Sequence, residues 1–340
     1  MLKYVHRPTL SRIEYEPSDQ NDSKASSRAL SCLLEICRTH RIQLGTHTID
    51  PTSQMEQLFQ SQQIRPQRTR LENHLFKFAN KAIHIYEELG PWAADYFILE
   101  SIALLESRHD LGTDMFAGGR NGERASLLRI LNQGPLAREN RSLQDNFLIS
   151  SKVDRLISFL RNEDHEQCSG LLFVRQRATV SVLCPLLSIH PRIKGCFECA
   201  TFVGMSNNAA KNNTMAELLD LKAQSETLAE FRARRKNLII ATDALEEGID
   251  ITACNLVVCF DPPPNLKSFI QRRGRARQEK SKFAIMFPRN EGASKLESWR
   301  TLEQKLIEAY QSEMRQIRDL AAIEDDVEVV PGKLEVRSTG

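Results

Sequence analysis

Two features of the chain predict an α/β fold, a parallel sheet with helices on both faces joined to an all-helical module. From about residue 143, short apolar runs alternate with helical patterns, as strands buried on both faces require. Earlier, from about 27 to 110, apolar residues recur at helical spacing with no alternating strand pattern between them. The totals agree, since 340 residues suffice for two domains and 41% hydrophobic against 26% charged allows a buried core.

Residues 1–20 read as one extended piece, HRPTLSRIEY, followed by the polar stretch PSDQNDSKASS, whose serines suit a helix cap. The helical stripe then runs through Leu30, Leu33, Leu34 and Cys37, and through Leu75, Phe78, Ala82, Ile85, Tyr86 and Leu89. After ELGPW it resumes with Tyr96, Leu99, Ile102, Ala103 and Leu105, while GTDMFAGGRNGERAS reads as a surface loop. In the second part the strand runs are GLLFV (170–174), CFECATFVG (196–204), NLIIAT (237–242), NLVVCF (255–260) and KFAIMF (282–287). Helical patterns lie at 144–161, 177–189, 215–234 and 265–276, so five strands and four helices make one compact unit. From about 293 to 323 the charged, amphipathic sequence predicts one long helix or a pair, and VEVVPGKLEVRSTG begins like a strand.

Charge narrows the function less than its placement does. With 46 basic and 44 acidic residues the net charge is +2, so a surface for nucleic acid must come from local clustering. No run of about 18 apolar residues spans a bilayer, and the N-terminus lacks a signal peptide's apolar core and cleavage site. The expectation is an intracellular protein, cytoplasmic or nuclear, with no membrane partner. Six of the eight cysteines, Cys32, Cys37, Cys168, Cys184, Cys254 and Cys259, lie in apolar or helical patterns as reduced thiols. Cys196 and Cys199 form a lone CxxC without the second pair that zinc needs, and the eight histidines lack ligand spacing, so no metal site is expected.

Three segments carry candidate chemistry. LLFVRQRATV (171–180) is a strand followed by a helix start, with Arg175 and Arg177 in the crossover where loops after parallel strands bind ligands. IIATDALEEGIDI (239–251) leaves its strand at Thr242 and turns through Gly248 to Asp250. A hydroxyl there suits a phosphate and a carboxylate after a glycine turn suits a ribose hydroxyl; a helix capped by Asp243 with Glu246 at N3 explains the same residues. QRRGRAR (271–277) follows a stripe of Leu266, Phe269 and Ile270, with Gly274 one turn beyond Ile270, where a missing side chain permits close backbone approach or a helix end. Gln271 and Arg275, four apart, share the opposite helix face, and Arg277 swings to that side if the helix stops near Gly274. Two guanidiniums beside a glutamine suit a nucleotide polyphosphate, whereas Arg272 and Arg273 read as salt-bridge or surface residues.

The order EEGIDI, CNLVV, FD followed by proline, and Q-x-x-G-R-x-R closely resembles the C-terminal helicase lobe of Dicer and of related double-stranded RNA sensors, within superfamily 2 helicases. ELGPWAADY looks like the helical insertion these RNA-dependent ATPases carry, and HRPTLSRIEYEP and VRSTG look most like fungal Dicer-like proteins. The resemblance implies a RecA-like lobe, with 1–20 as its start, 21–140 as the insertion, 141–290 as the C-terminal helicase domain and 291–340 as bridging helices and linker. It implies a role in RNA silencing and small-RNA production. Thr242, Arg175 and Arg177 would meet the RNA, Asp250, after the Gly248 turn, the ATP ribose, and Gln271, Arg275 and Arg277 the phosphates. Double-stranded RNA would be the partner, gripped by shape through phosphates and 2′-hydroxyls.

A working ATPase of this class also needs a GK[ST] loop and an acidic DExH or DExD motif, and neither occurs in the 340 residues. ATP would therefore be shared with an N-terminal helicase lobe in cis or in trans. Mg²⁺, implied by the family, would find no ligands here. The expectation is a fragment or truncated product, without the RNase III part, that does not turn over ATP by itself. A non-catalytic RNA-binding clamp and a DNA-directed helicase lobe of the same superfamily are the alternatives.

Overall fold

Strands of four apolar residues with no polar side explain why the sheet lies at the centre of the molecule. The computed structural model describes residues 8–17, 27–42, 44, 69–110, 120–133, 136, 147–203, 224–246, 251, 253–289 and 291–327. Its sheet contains β1 (Thr9–Tyr15), β2 (Gly170–Phe173), β3 (Cys199–Phe202), β4 (Leu238–Ala241), β5 (Leu256–Cys259) and β6 (Lys282–Pro288). The strands run in the order β1-β6-β5-β2-β4-β3, and every pairing is parallel. The sequence predicts five of them. The sixth is the N-terminal extended piece, which pairs with β6 from Thr9 opposite Lys282 to Tyr15 opposite Pro288. Its partial exposure suits an edge, with Ile13 as its buried residue.

Period-two geometry splits each strand between two cores. Leu172, Leu238, Ile240, Val258, Ala284 and Met286 face one; Leu171, Phe173, Ile239, Val257, Phe283 and Ile285 face the other. The first core is continuous with the helical module, α1 (Arg28–Thr39), α2 (Arg70–Leu89), α3 (Pro91–Asp110) and α4 (Arg120–Gln133). It also takes in α5 (Ser151–Leu160) and α6 (Arg177–Ile189). The second core is closed by α7 (Gln224–Arg232), α8 (Leu266–Arg273) and the start of α9 (Gly292–Val327), where Trp299 stacks on Phe269 with ring centroids 5.2 Å apart.

Local chemistry sets the helix limits. Ser27 accepts from the Leu30 amide and Thr69 forms a capping box with Glu72. Ser150 accepts from the Val153 amide, so α5 starts at Ser151 and not at the predicted 144. Buried Asp95 on α3 accepts from Ser27 Oγ at 2.6 Å and from the Ala29 amide at 2.8 Å, tying α1 to α3. The predicted loop GTDMFAGGRNGERAS is helical from Arg120 onward, because Leu127, Leu128 and Leu131 bury one side of α4 and draw the preceding turn into it. The predicted strand at 196–204 shrinks to Cys199–Phe202; Cys196 closes the turn before it, and both are free thiols. The region after the sheet is one helix through Val327, and residues 328–340 lie outside those described.

The module meets the sheet at Gly90, between α2 and α3. Its φ of 102° lies where side chains are strained, and a Cβ there would stand 2.5 Å from the Ser150 backbone nitrogen. Ser150 donates its N–H to Leu89 O at 3.0 Å and its hydroxyl to Glu88 O at 2.7 Å, which holds the chain against the helix junction. Gly90→Ala is expected to cost on the order of 3 kcal/mol of stability from the backbone conformation and the clash together. A urea titration followed by circular dichroism reads the loss as a lower midpoint.

Candidate functional site

At the carboxyl ends of the central strands a single buried lysine organises the loops. Lys152, 4% exposed, is the second residue of α5, where the amphipathic helix turns its apolar side inward. Its Nζ pairs with Glu88 of α2 and with Asp261 Oδ1 at 2.9 Å, and lies over the rings of Phe260, at 4.0 Å, and Tyr15, at 5.3 Å. Burial alone would lower the ammonium's pKa; Asp261 and Glu88 outweigh it and hold the group charged. Burial likewise pushes Asp261 up, yet Lys152 and the Arg175 backbone bring it below the ordinary carboxylate value. The second oxygen of Asp261 accepts from the Arg175 backbone N–H at 2.6 Å.

That bond positions the crossover after β2. Arg175 and Arg177, the latter opening α6, are both exposed there. Thr242 ends β4 on the same side of the sheet, two strands' ends being joined by its amide bond to Phe202 O at 3.2 Å, and its residue is 5% exposed. The sequence-predicted set Arg175, Arg177 and Thr242 therefore shares one end of the sheet, with the arginines reaching solvent and the threonine covered.

The segment after β4 differs from the capped helix that Asp243 and Glu246 also suggested. Asp243–Leu245 is a single 3₁₀ turn with no side-chain cap bond. Glu246 instead accepts from Arg272 Nε at 2.6 Å and from Ser268 Oγ at 2.9 Å, binding this loop to α8. Arg272, 4% exposed, also donates to Asp261 O at 3.2 Å and lies 5.0 Å from the Phe173 ring. Arg273 pairs with both carboxylate oxygens of Glu303 on α9. The two arginines expected to be salt-bridge residues are bound in ion pairs, as the sequence predicts.

The other two arginines lie beyond the helix. Because α8 stops at Arg273, Gln271 and Arg275 do not share a helix face; Arg275 leaves through a turn, and its Nη2 reaches the Glu246 carbonyl at 2.9 Å. Gly274 takes an ordinary helical φ of −63°, and its lack of a side chain answers a close approach, since a Cβ would lie 3.2 Å from Ile270 O. Arg277 is exposed, its Nε donating to Gly274 O at 2.7 Å. The backbone of 275–277 brackets Cys254, which donates to Arg275 O at 3.2 Å and accepts from the Arg277 amide at 3.1 Å. Burial pushes the Cys254 thiol up to about 12, so it stays protonated.

Cys254 leads into β5, so the backbone of 275–277 passes the amino end of the strands, opposite the carboxyl end that carries Arg175 and Thr242, while the Arg275 guanidinium reaches the loop after β4. The four residues of β5 separate those ends by roughly 13 Å. Gly248 and Asp250 lie outside the described residues. Among the described residues no group of three or more His, Cys, Asp or Glu is placed to hold a metal ion. No helix among them is long and apolar enough to cross a membrane. Sequence reasoning missed Lys152, Glu88, Asp261 and the pairing role of Glu246. A lysine on the apolar face of SKVDRLISFL was the available sign of the first.

Removing one partner of a buried ion pair leaves the other charge uncompensated. Arg272→Ala is expected to cost about 3 to 5 kcal/mol, with most of it regained when Glu246→Gln is added. Chemical denaturation of the two single variants and the double variant measures the coupling.

The helicase conserved C-terminal domain family matches residues 151–279, the span from α5 to the turn after α8. The chain is 42% identical over its whole length to Dicer-like protein 2 of Neosartorya fischeri and 43% identical to Dicer-like protein 2-1 of Aspergillus niger, covering 25% of each. With Dicer-like protein 2 of Cryphonectria parasitica the identity is 33%, again over the whole chain and 23% of the relative. The chain thus spans about a quarter of the length of the curated relatives it matches. The matched span carries most of the parallel α/β sheet, β2 to β5, with helices on both faces. The chain is thus similar over its whole length to a part of fungal Dicer-like proteins, and its residues 151–279 match the helicase conserved C-terminal domain family.

Proposed function

We propose that this chain is the C-terminal helicase lobe of a Dicer-like, double-stranded RNA-dependent ATPase acting in RNA silencing and small-RNA production. The observation that carries the reading is the presence of two distinct arginine sets, one in the crossover after β2 and one in the turn past α8, where the Arg275 guanidinium is anchored on the Glu246 carbonyl. Arg175 and Arg177, with Thr242 beside them, follow the carboxyl ends of β2 and β4, where loops of parallel sheets meet ligands. In this reading they contact the backbone of duplex RNA, and the helical module adds a surface that recognises the duplex by shape.

Gln271 on α8 and Arg275 and Arg277 in the turn beyond it form the nucleotide-facing set. A guanidinium carries its N–H donors in a fixed fork that matches phosphate geometry, and on Arg275 that group is anchored by the Glu246 carbonyl. ATP supplies the phosphoryl group whose transfer to water releases energy. The role of this lobe is to orient and neutralise: Arg275 and Arg277 stabilise charge developing on the terminal phosphoryl oxygens, Gln271 adds a neutral donor, and Asp250, after Gly248, accepts from the ribose. The phosphate-cradling loop and the acidic motif belong to an N-terminal lobe in cis or in trans.

Titrating fluorescent duplex RNA and duplex DNA against the chain at several salt concentrations tests the RNA half. RNA is expected to bind more tightly, and Arg175→Ala and Arg177→Ala each to weaken it and lower the salt slope by about 1. Equal affinities and slopes for both duplexes would remove the RNA reading. For the nucleotide half, the chain alone should hydrolyse ATP at background rate. RNA-stimulated turnover should return when the N-terminal lobe is supplied, and fall by about 10² or more in Arg275→Ala. Turnover by the chain alone that disappears in Arg275→Ala would refute the shared site.

A further inference from the structure

The joint around Lys152 has a consequence beyond holding the core. Its contacts come from four separate parts of the chain: Glu88 in the helical module, Tyr15 in the edge strand, Lys152 itself in α5, and Phe260 with Asp261 after β5. Asp261 does not end the chain of contacts. One carboxylate oxygen holds Lys152, the other holds the Arg175 backbone N–H, and its carbonyl accepts from Arg272. Arg272 in turn grips Glu246, whose carbonyl holds Arg275. An unbroken run of polar contacts therefore leads from the module's helix α2 to both cation sets. A buried charge pair is seldom more stabilising than apolar packing of the same volume, so geometry is what such a joint supplies.

We infer that Lys152 is a positioning residue through which the helical module sets the crossover loop bearing Arg175. Glu88 fixes the ammonium from the module side, and Asp261 passes that placement to the loop's backbone. This rests on the proposed RNA reading only for its effect on binding; the effect on the loop stands by itself. A change in how the module is seated, as on contact with a duplex, would then reach the arginine loop without altering the sheet.

The test uses Glu88→Gln in the 340-residue chain. The substitution removes one of the two carboxylates on Lys152 and leaves Asp261 in place, so the fold is expected to persist. Amide hydrogen exchange at Arg175 should quicken about tenfold, while amides of Phe97 and Ile98 in the module and of Val257 and Val258 in β5 keep their protection. Duplex RNA affinity should fall about threefold with the salt slope unchanged, because no phosphate contact is lost. Glu87→Gln, the same charge change at the exposed neighbouring residue, should leave Arg175 as it was. Lys152→Met should exceed Glu88→Gln in the same local exchange if it folds; the Glu88 variant decides the matter if it does not. Unchanged exchange at Arg175 in Glu88→Gln, or acceleration spread evenly over module and sheet, overturns the inference. An unsubstituted chain that does not prefer duplex RNA would instead refute the proposed function, with the exchange data still deciding the joint.

Discussion

A buried ammonium must be surrounded by acceptors, and that requirement at Lys152 governs how the pieces of this protein fit. Leaving the charge with one partner or none costs several kcal/mol, so the arrangement in which Glu88, Asp261 and two aromatic faces converge on it is strongly selected over neighbouring packings. α2, the edge strand, α5 and the loop after β5 are brought into register by one atom. Apolar packing around it, continuous from the module to one sheet face, supplies most of the driving force but tolerates small slides. The charge does not.

The second buried cation, Arg272, does for the opposite face what Lys152 does for the first. By holding Glu246 it attaches the segment after β4 to α8, and Arg273 fastens the same helix to α9 through Glu303. The four arginines of one short run are thus divided by their partners. Two are committed to the framework, and two, Arg275 and Arg277, are carried past the helix end on a backbone pinned to Cys254. Of the framework pair, Arg272 also fixes the residue whose carbonyl holds the Arg275 guanidinium, Glu246.

Most of the architecture was legible because its signals are local. Unbroken Val, Ile and Leu runs mark strands buried on both sides, and the helical stripe from Leu75 to Leu89 survives intact in α2. What failed depended on distant partners. Thr9–Tyr15 looks like any extended piece until β6 supplies its hydrogen bonds, and the turn after Arg120 becomes helical because leucines further on are buried. The site shows the same division. Residue types pointed to Arg175, Thr242, Gln271, Arg275 and Arg277, and periodicity put Arg275 on a helix face that ends two residues too early. Lys152, Glu88 and Asp261 are far apart in sequence, and the importance of each appears only when the other two are beside it.

The pairing of β1 with β6 also bears on how the protein is made. Arg289 at the end of β6 forms an ion pair with Glu16 across a separation of 273 residues, and β1 rests in the sheet on β6 alone. Contacts of such separation are slow to form because the loop between them must be closed first. On the ribosome, β1 emerges with β6, its partner among the described strands, still unsynthesised, and the helices between must fold while that strand waits. Parallel pairing compounds the delay, since no hairpin can hold the strand in the meantime. The sheet is therefore completed last at the edge that β1 forms.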